Sequence, residues 1–209
     1  AIEAARAGEK GKGFEVVVFE AEGEPGGVLL YGIPDFRLPK EIVRRETKNI
    51  ESLGVTFVTN TLVGKDITID KMFEDGFEAV FIGTGTAIAK GLGIPGEDLK
   101  GVIQSSYLLR MTRLFKDGNV GREEVPVEEG DEVIVIGAGN VAMDACRTAV
   151  MMKASHVTVC YRKTIEFMKA ARAEYDGAVK DGVDFKWEHA PLEVVGKDGK
   201  VTGLKVSTP

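Results

Sequence analysis

Six residues in the second half of the chain have the types and spacing of a phosphate cradle. Gly137-Ala138-Gly139-Asn140-Val141-Ala142 reads G-x-G-x-x-A. The apolar run Glu132-Val133-Ile134-Val135-Ile136 precedes it, a helical pattern over Ala142 to Met152 follows, and Val157-Thr158-Val159-Cys160-Tyr161 reads as a return strand. In a strand–loop–helix–strand unit of this kind, Gly137 permits the tight turn off the strand. Gly139 lets the backbone approach a ligand with no Cβ in the way, and Ala142 keeps the helix close to the sheet. Asn140 and Val141 complete the loop between them. The pyrophosphate of a dinucleotide then rests on the amides and positive end of the helix. The strand before and the helix after meet the context that such a motif requires. Two other readings use the same glycines: a turn with no ligand, and a nucleotide site of the methyltransferase type.

The residues after the return strand bear on which dinucleotide binds. An NAD site places Asp or Glu there to hold the adenosine ribose hydroxyls. This chain has Arg162-Lys163. A carboxylate would repel the additional phosphate of NADP(H), whereas a guanidinium grips it with a two-pronged fork. Charge-assisted bonds contribute roughly 1.5–3 kcal/mol, or about 10- to 100-fold in affinity. The alternative is a solvated basic strand end. Glu20 stands at the end of an earlier apolar strand, Val16-Val17-Val18-Phe19, where an acidic residue would hold an adenosine ribose. On the residues alone it is equally an exposed strand-end charge.

The elements that must position these groups alternate between strand and helix. Ala1 to Ala7 reads as helix, and the strand at Val16 follows a polar break. A helix feeding a buried strand is the second half of a βαβ unit, so a piece of a longer protein is expected. Glu24 to Pro34 is rich in glycine and proline and reads as loop. Pro39 suits a first helical residue and Gly54 a position just past the last turn, which brackets a helix over Lys40–Leu53. Val55 to Thr59 predicts a strand, Ile69 to Phe73 a short helix, and Ala79 to Ile82 another buried strand ending at Gly83-Thr84-Gly85. Gly91 to Asp98 reads as a connector and marks a domain boundary. Helices are expected over Gln104–Leu114 and Ala170–Asp181, a polar loop over Lys116–Gly130, and a strand over Val183–Glu188. Leu192–Val195 and Val201–Val206 flank an Asp198-Gly199 turn, a hairpin pattern.

Composition excludes several classes. The 209 residues are 44% hydrophobic and carry a net charge of −6, which argues against a nucleic-acid-binding face. The two cysteines, Cys146 and Cys160, cannot complete a four-thiolate cluster or zinc site, so no metal is expected on this chain. They imply no disulfide scaffold, and a cytoplasmic location is the expectation. No apolar run reaches the roughly 18–20 residues of a membrane span. His156 and His189 read as solvated or structural, and the cysteines as small core side chains.

Taken in order, several runs resemble one family over essentially the whole chain. Phe19-Glu20 with Pro25-Gly26-Gly27 is similar to its "FE…PGG" flavin motif. Tyr31 to Pro39 resembles "YGIPxFRLP", and Val63 to Ile67 resembles "VGKDI". Thr84-Gly85 and Ile94 to Asp98 resemble "TG" and "IPGED". Gly137 to Arg147 resembles "GxGNxAMDxAR", and Tyr161-Arg162-Lys163 resembles "YRR". The family is that of the small subunit of bacterial glutamate synthase. It also holds the related subunit of the NADH-dependent ferredoxin:NADP oxidoreductase and the front end of dihydropyrimidine dehydrogenase. Two departures stand out: Lys163 replaces the second Arg of "YRR", and Lys169 stands where the family has Pro in "MPA".

The resemblance implies an α/β fold of two Rossmann-like nucleotide-binding units, truncated at both ends. Residues 1–90 would be a partial FAD-binding domain, and residues 91–209 an NADP(H)-binding domain lacking its closing strand. The implied activity is passage of a hydride from NADPH to FAD. An iron–sulfur partner, or one like the glutamate synthase large subunit, would take the electrons. Glu20, Gly27, Thr84 and Gly85 would serve the flavin. Gly137, Gly139, Asn140, Val141, Ala142, Arg162 and Lys163 would serve NADP(H). No catalytic acid or base is identified, because the cofactors carry the chemistry. Two other readings stand beside this one: a nucleotide-binding or assembly module without turnover, and a single-domain dehydrogenase with its own substrate.

Overall fold

The structure is a computed structural model that describes residues 3, 14–86 and 88–209. The helix expected over Ala1–Ala7 falls outside the described residues except for Glu3, which is helical. The chain forms two compact units. One comprises Ala1–Tyr31 with Asp35–Gly85, the other Gly32–Pro34 with Thr86–Pro209.

The first unit contains β1 (Val16–Phe19), α1 (Gly27–Tyr31), α2 (Lys40–Ser52), β2 (Val55–Val58) and α3 (Ile69–Glu74). β1 and β2 pair in parallel, Val16 opposite Val55 and Phe19 opposite Val58. Parallel strands need a crossover connection, and α2 supplies part of it. Pro39 sits one residue before α2 rather than as its first helical residue, and its carbonyl accepts from the Ile42 amide at 3.1 Å. Gly54, at φ 87°, takes the left-handed position just past the helix, as expected.

Helix α1 corrects the expectation of loop over Glu24–Pro34. Five residues carry too little periodicity to announce a helix, and packing supplies what propensity does not. Leu30 is fully buried, and a Cβ on Gly26 would lie 3.0 Å from Leu30 and 3.1 Å from Val43. The buried Lys40 ammonium donates to the Leu29 carbonyl at 2.9 Å. Arg44 grips both carboxylate oxygens of Glu24 at 2.7 and 2.9 Å, and the Tyr31 hydroxyl accepts from the Glu24 amide at 3.1 Å. Burial raises the Tyr31 pKa.

A second correction concerns Ala79–Ile82, which is irregular rather than a buried strand; Phe81 is 93% exposed. A continuous apolar run specifies burial but not a partner. Among the described residues no strand offers this segment a ladder.

The second unit is built on a parallel sheet of order β3-β4-β5, formed by β3 (Glu132–Ile136), β4 (His156–Tyr161) and β5 (Asp184–Trp187). It also contains α4 (Ser105–Lys116), α5 (Asn140–Met151) and α6 (Arg172–Lys180). Glu132 lies opposite His156, and Thr158 opposite Asp184. Helix α5 crosses from β3 to β4, and α6 from β4 to β5. The face of α5 toward the sheet is built from small residues. Ala142, Ala145, Cys146 and Ala149 are buried there with Met143, against Val135, Val157 and Val159. Small side chains let the helix axis come close to the sheet.

The stretch expected as polar loop over Lys116–Gly130 contributes Val125 and Val127, both fully buried in this core. Each is a contribution of roughly 1.5–3 kcal/mol. Isolated valines among charges show no period, so the pattern did not reveal them. Arg147 on α5 reaches Asp181 at 2.7 Å and Glu174 at 3.5 Å. Its guanidinium crosses Gly177 of α6, where a Cβ would sit 2.9 Å from it.

Strands β6 (Ala190–Lys197) and β7 (Lys200–Ser207) form the expected antiparallel hairpin. Asp198 and Gly199 both take positive φ, 52° and 77°, as a type I′ turn requires. The segment expected as a connector is bound to this hairpin. Pro95 accepts from the Val194 amide at 2.9 Å. Lys100 donates to Gly199 and accepts from Val201, both at 3.0 Å. Gly96, at φ 82°, makes the approach: a Cβ there would collide with the Val194 carbonyl oxygen.

Candidate dinucleotide site

The glycine loop opens off the carboxyl end of β3. Gly137 has φ 118°, and its amide still donates to the Cys160 carbonyl of β4 at 2.9 Å. Gly139 is the N-cap of α5, with φ −98° and ψ 176°. These are ordinary extended angles, so the two glycines do different work. Gly137 is required by its backbone. Gly139 is not, and a Cβ there would meet no protein atom within 4 Å.

The space above Gly139 is bordered by the first turn of α5. Ala142 and Met143 donate to the Gly139 carbonyl at 3.0 and 3.2 Å. The amides ahead of them have no intrahelical acceptor by the geometry of a helix start. Ala142 is buried against the sheet, as its place in the motif predicts, while Val141 is exposed.

Asn140 does something its place in the motif did not predict. Its Oδ1 accepts from the Ala171 amide at 2.9 Å, at the start of α6. The Ala138 carbonyl accepts from both Lys169 and Ala170 at 3.0 Å. Three hydrogen bonds thus lay the segment after β4 along the glycine loop. This stabilises the loop geometry. Sequence reasoning missed this contact because bonds donated by backbone amides carry no residue-type signal.

Arg162 and Lys163 follow β4 directly and are exposed. Since β3 and β4 are parallel neighbours, both residues stand at the same carboxyl edge of the sheet as the glycine loop. Ligands of open α/β sheets bind at that edge. Arg162 makes no ion pair among the described residues. Lys163 holds its ammonium 5.1 Å from the centre of the Phe167 ring. The Tyr161 hydroxyl donates to the Phe167 carbonyl at 2.9 Å.

In the first unit, Glu20 stands at the carboxyl end of β1, and its carboxylate accepts from the Glu22 amide at 3.0 Å. Gly27, at φ 51°, begins α1 with open space where a Cβ would be. Thr84 and Gly85 are exposed and lie outside any helix or strand. No described hydrogen bond joins these four residues to one another.

The histidines and cysteines make contacts within the protein. His189 Nδ1 lies 2.6 Å from the Trp187 carbonyl oxygen, and His156 pairs with Asp184 at 3.2 Å. Burial pushes the Cys146 thiol up to about 12 and raises that of Cys160, so neither is a ready nucleophile. Both thiols are free. Among the described residues no cluster of three or more His, Cys, Asp or Glu could hold a metal ion, and no helix is long and apolar enough to cross a membrane.

These residues fit a dinucleotide's phosphates: an open cradle over Gly139, a helix start beneath it, and cations on the same sheet edge. They fit a flavin dinucleotide less completely. Among the described residues, Glu20 is the acidic strand-end group, with no glycine loop and helix start described beside it.

The fold is α/β, with Rossmann-like units on parallel strands. The chain belongs to the pyridine nucleotide-disulphide oxidoreductase family, whose model matches residues 1–208. It is 39% identical over 197 residues to the glutamate synthase [NADPH] small chain of Escherichia coli (strain K12), covering 93% of this chain and 42% of that one. It is 38% identical over 197 residues to the NADP(+)-dependent formate dehydrogenase subunit beta of Moorella thermoacetica, covering 93% of this chain and 27% of that one. The chain therefore spans less than half the length of these curated relatives. Among solved structures, FprA of Mycobacterium tuberculosis in complex with NADPH is similar in fold. Its TM-score is 0.70 at 19% identity, over 98% of this chain and 63% of that one.

Proposed function

We propose that this chain holds the NADP(H)-binding unit, and part of the flavin-binding unit, of an oxidoreductase that passes a hydride from NADPH to FAD. The observation that carries this reading is the shared sheet edge. The open glycine cradle at Gly137–Ala142 and the cation of Arg162 lie at the carboxyl ends of adjacent parallel strands. When bound, NADPH supplies the hydride, and FAD receives it. The chain's own work is binding and orientation. The α5 amides hold the pyrophosphate, and Arg162 with Lys163 holds the 2′-phosphate. Asn140 and Ala138 keep the loop in place.

The names of the relatives support this reading. They include a glutamate synthase [NADPH] small chain and the NADPH-Fe(3+) oxidoreductase subunit beta of Geobacter sulfurreducens. As subunits, they also support a partner that takes the electrons, an iron–sulfur protein or a large subunit like that of glutamate synthase. Two buried free thiols suit the cytoplasm. We divide the roles at about residue 90, flavin before it and NADP(H) after it.

Titration with NADPH and NADH, followed by nicotinamide fluorescence, tests the cofactor. Equal or tighter binding of NADH would remove the role given to Arg162. One observation favours the second reading, a binding or assembly module without turnover: Ala79–Ile82 forms no strand in the flavin unit, and Phe81 is exposed. A colourless protein that leaves NADPH unoxidised with FAD added would favour the module.

A further inference from the structure

The chain holds five Asp-Gly pairs, beginning at Asp75, Asp117, Asp176, Asp181 and Asp198. In such a pair the glycine nitrogen can attack the side-chain carboxyl carbon of the aspartate, because glycine has no Cβ to obstruct the approach. The attack needs a carboxyl group free to turn and an amide free to give up its proton. Four of the pairs are held at both groups. Asp75 pairs with Lys71, and Asp117 with Arg113. Arg172 holds Asp176 at 2.9 Å, and Arg147 holds Asp181 at 2.7 Å. The Gly76 amide donates to the Phe73 carbonyl at 3.1 Å, Gly118 to Phe115 at 3.0 Å and Gly182 to Val179 at 3.0 Å. Gly177 lies inside α6, where amides donate to the preceding turn.

Asp198-Gly199 differs at both groups. Asp198 is exposed, and its carboxylate makes no ion pair or hydrogen bond among the described residues. The Gly199 amide donates no backbone hydrogen bond there either. As the second central residue of a two-residue turn, Gly199 lies outside the closing pair Lys197–Lys200.

We propose that Asp198 is this chain's site of isoaspartate formation, a modification whose one co-reactant is water. The Gly199 nitrogen bonds to the Asp198 carboxyl carbon, and the amide proton leaves with the carboxyl hydroxyl as water. The product is a five-membered succinimide. Water then opens the ring at the main-chain carbonyl, breaking its bond to the Gly199 nitrogen. The chain now runs through the Asp198 side chain, and a free α-carboxylate remains; nothing is oxidised or reduced. The rearranged residue adds one methylene to the main chain of the turn. Gly199 accepts from the Lys100 amide and Lys100 from the Val201 amide, both at 3.0 Å. Both bonds depend on the register of that turn, so the modification releases the Lys100 segment from the hairpin.

The test is prolonged incubation of the 209-residue chain at neutral pH. Isoaspartate is then located by peptide mapping and by enzymatic methyl-labelling of the new α-carboxylate. Asp198 is expected to accumulate isoaspartate about 2- to 10-fold faster than any of the other four pairs. The same incubation in guanidinium chloride, where no pair is held, is expected to bring the five rates together. Asp198→Glu, whose longer side chain does not close the five-membered ring, is expected to abolish the native-state signal. In the modified protein the Lys100 and Val201 amides are expected to exchange hydrogen faster. Isoaspartate forming first at another pair, or at Asp198 in denaturant alone, overturns the proposal. Unaltered exchange at Lys100 in the modified protein overturns the release of its segment.

Discussion

Replacing Gly139 by serine separates the two roles that glycine can have in a phosphate loop. At φ −98° and ψ 176° the backbone accepts any L-residue, and an added Cβ meets no protein atom within 4 Å. Serine is also a preferred N-cap, so the stability of the Gly139→Ser protein should be unchanged or higher by a few tenths of a kcal/mol. The same atoms occupy the cradle above the first turn of α5. Losing one charge-assisted bond to phosphate costs roughly 1.5–3 kcal/mol, so NADPH affinity should fall about 10- to 100-fold. Gly137→Ser should do the opposite first. There φ is 118°, a conformation that serine rarely adopts, and the strain should cost about 1–3 kcal/mol of stability. Urea denaturation and fluorescence titration of both proteins check the pair. A Gly139→Ser protein that binds NADPH with unaltered affinity would refute the assignment of the cradle to a phosphate. A strongly destabilised one would refute the reading of Gly139 as a position left open for a ligand.

Further outcomes follow from the packing around this site. Asn140→Ala should cost about 1 kcal/mol by leaving the Ala171 amide without its acceptor, with faster hydrogen exchange at Ala171. Gly96→Ala should destabilise the protein by at least about 2 kcal/mol, because its Cβ would enter the Val194 carbonyl at a positive φ; urea denaturation measures this. Cys146 and Cys160 should resist thiol reagents in the native protein and react in denaturant. The Cys146 thiol is held at about 12 by burial, against an ordinary 9.0. Between those values the unfolded chain loses the proton while the folded chain keeps it, so this group makes stability fall as pH rises above 9. Cys146→Ala should flatten that fall in denaturation midpoints measured across the alkaline range.

Much of the second unit was legible because its sequence agrees with itself at every level. β3, α5, β4 and the β6–β7 hairpin stand within a residue or two of where period, turn residues and motif placed them. Gly137 was legible for the same reason: a positive φ is a local requirement that the residue must meet by itself. The resemblance to the glutamate synthase small-subunit family was written in short motifs and needed no geometry.

What escaped the sequence depends on partners distant along the chain. Whether Ala79–Ile82 becomes a strand rests on a neighbouring ladder, not on its own apolar residues. Helix α1 exists because Leu30, Lys40 and Arg44 anchor five residues that could not hold a helix alone. Val125 and Val127 enter the core without any period to announce them. The placement of Lys169, Ala170 and Ala171 against the glycine loop was decided by tertiary structure alone. Backbone hydrogen bonds between segments some thirty positions apart carry no residue-type signature, so only the folded chain shows which segments they join.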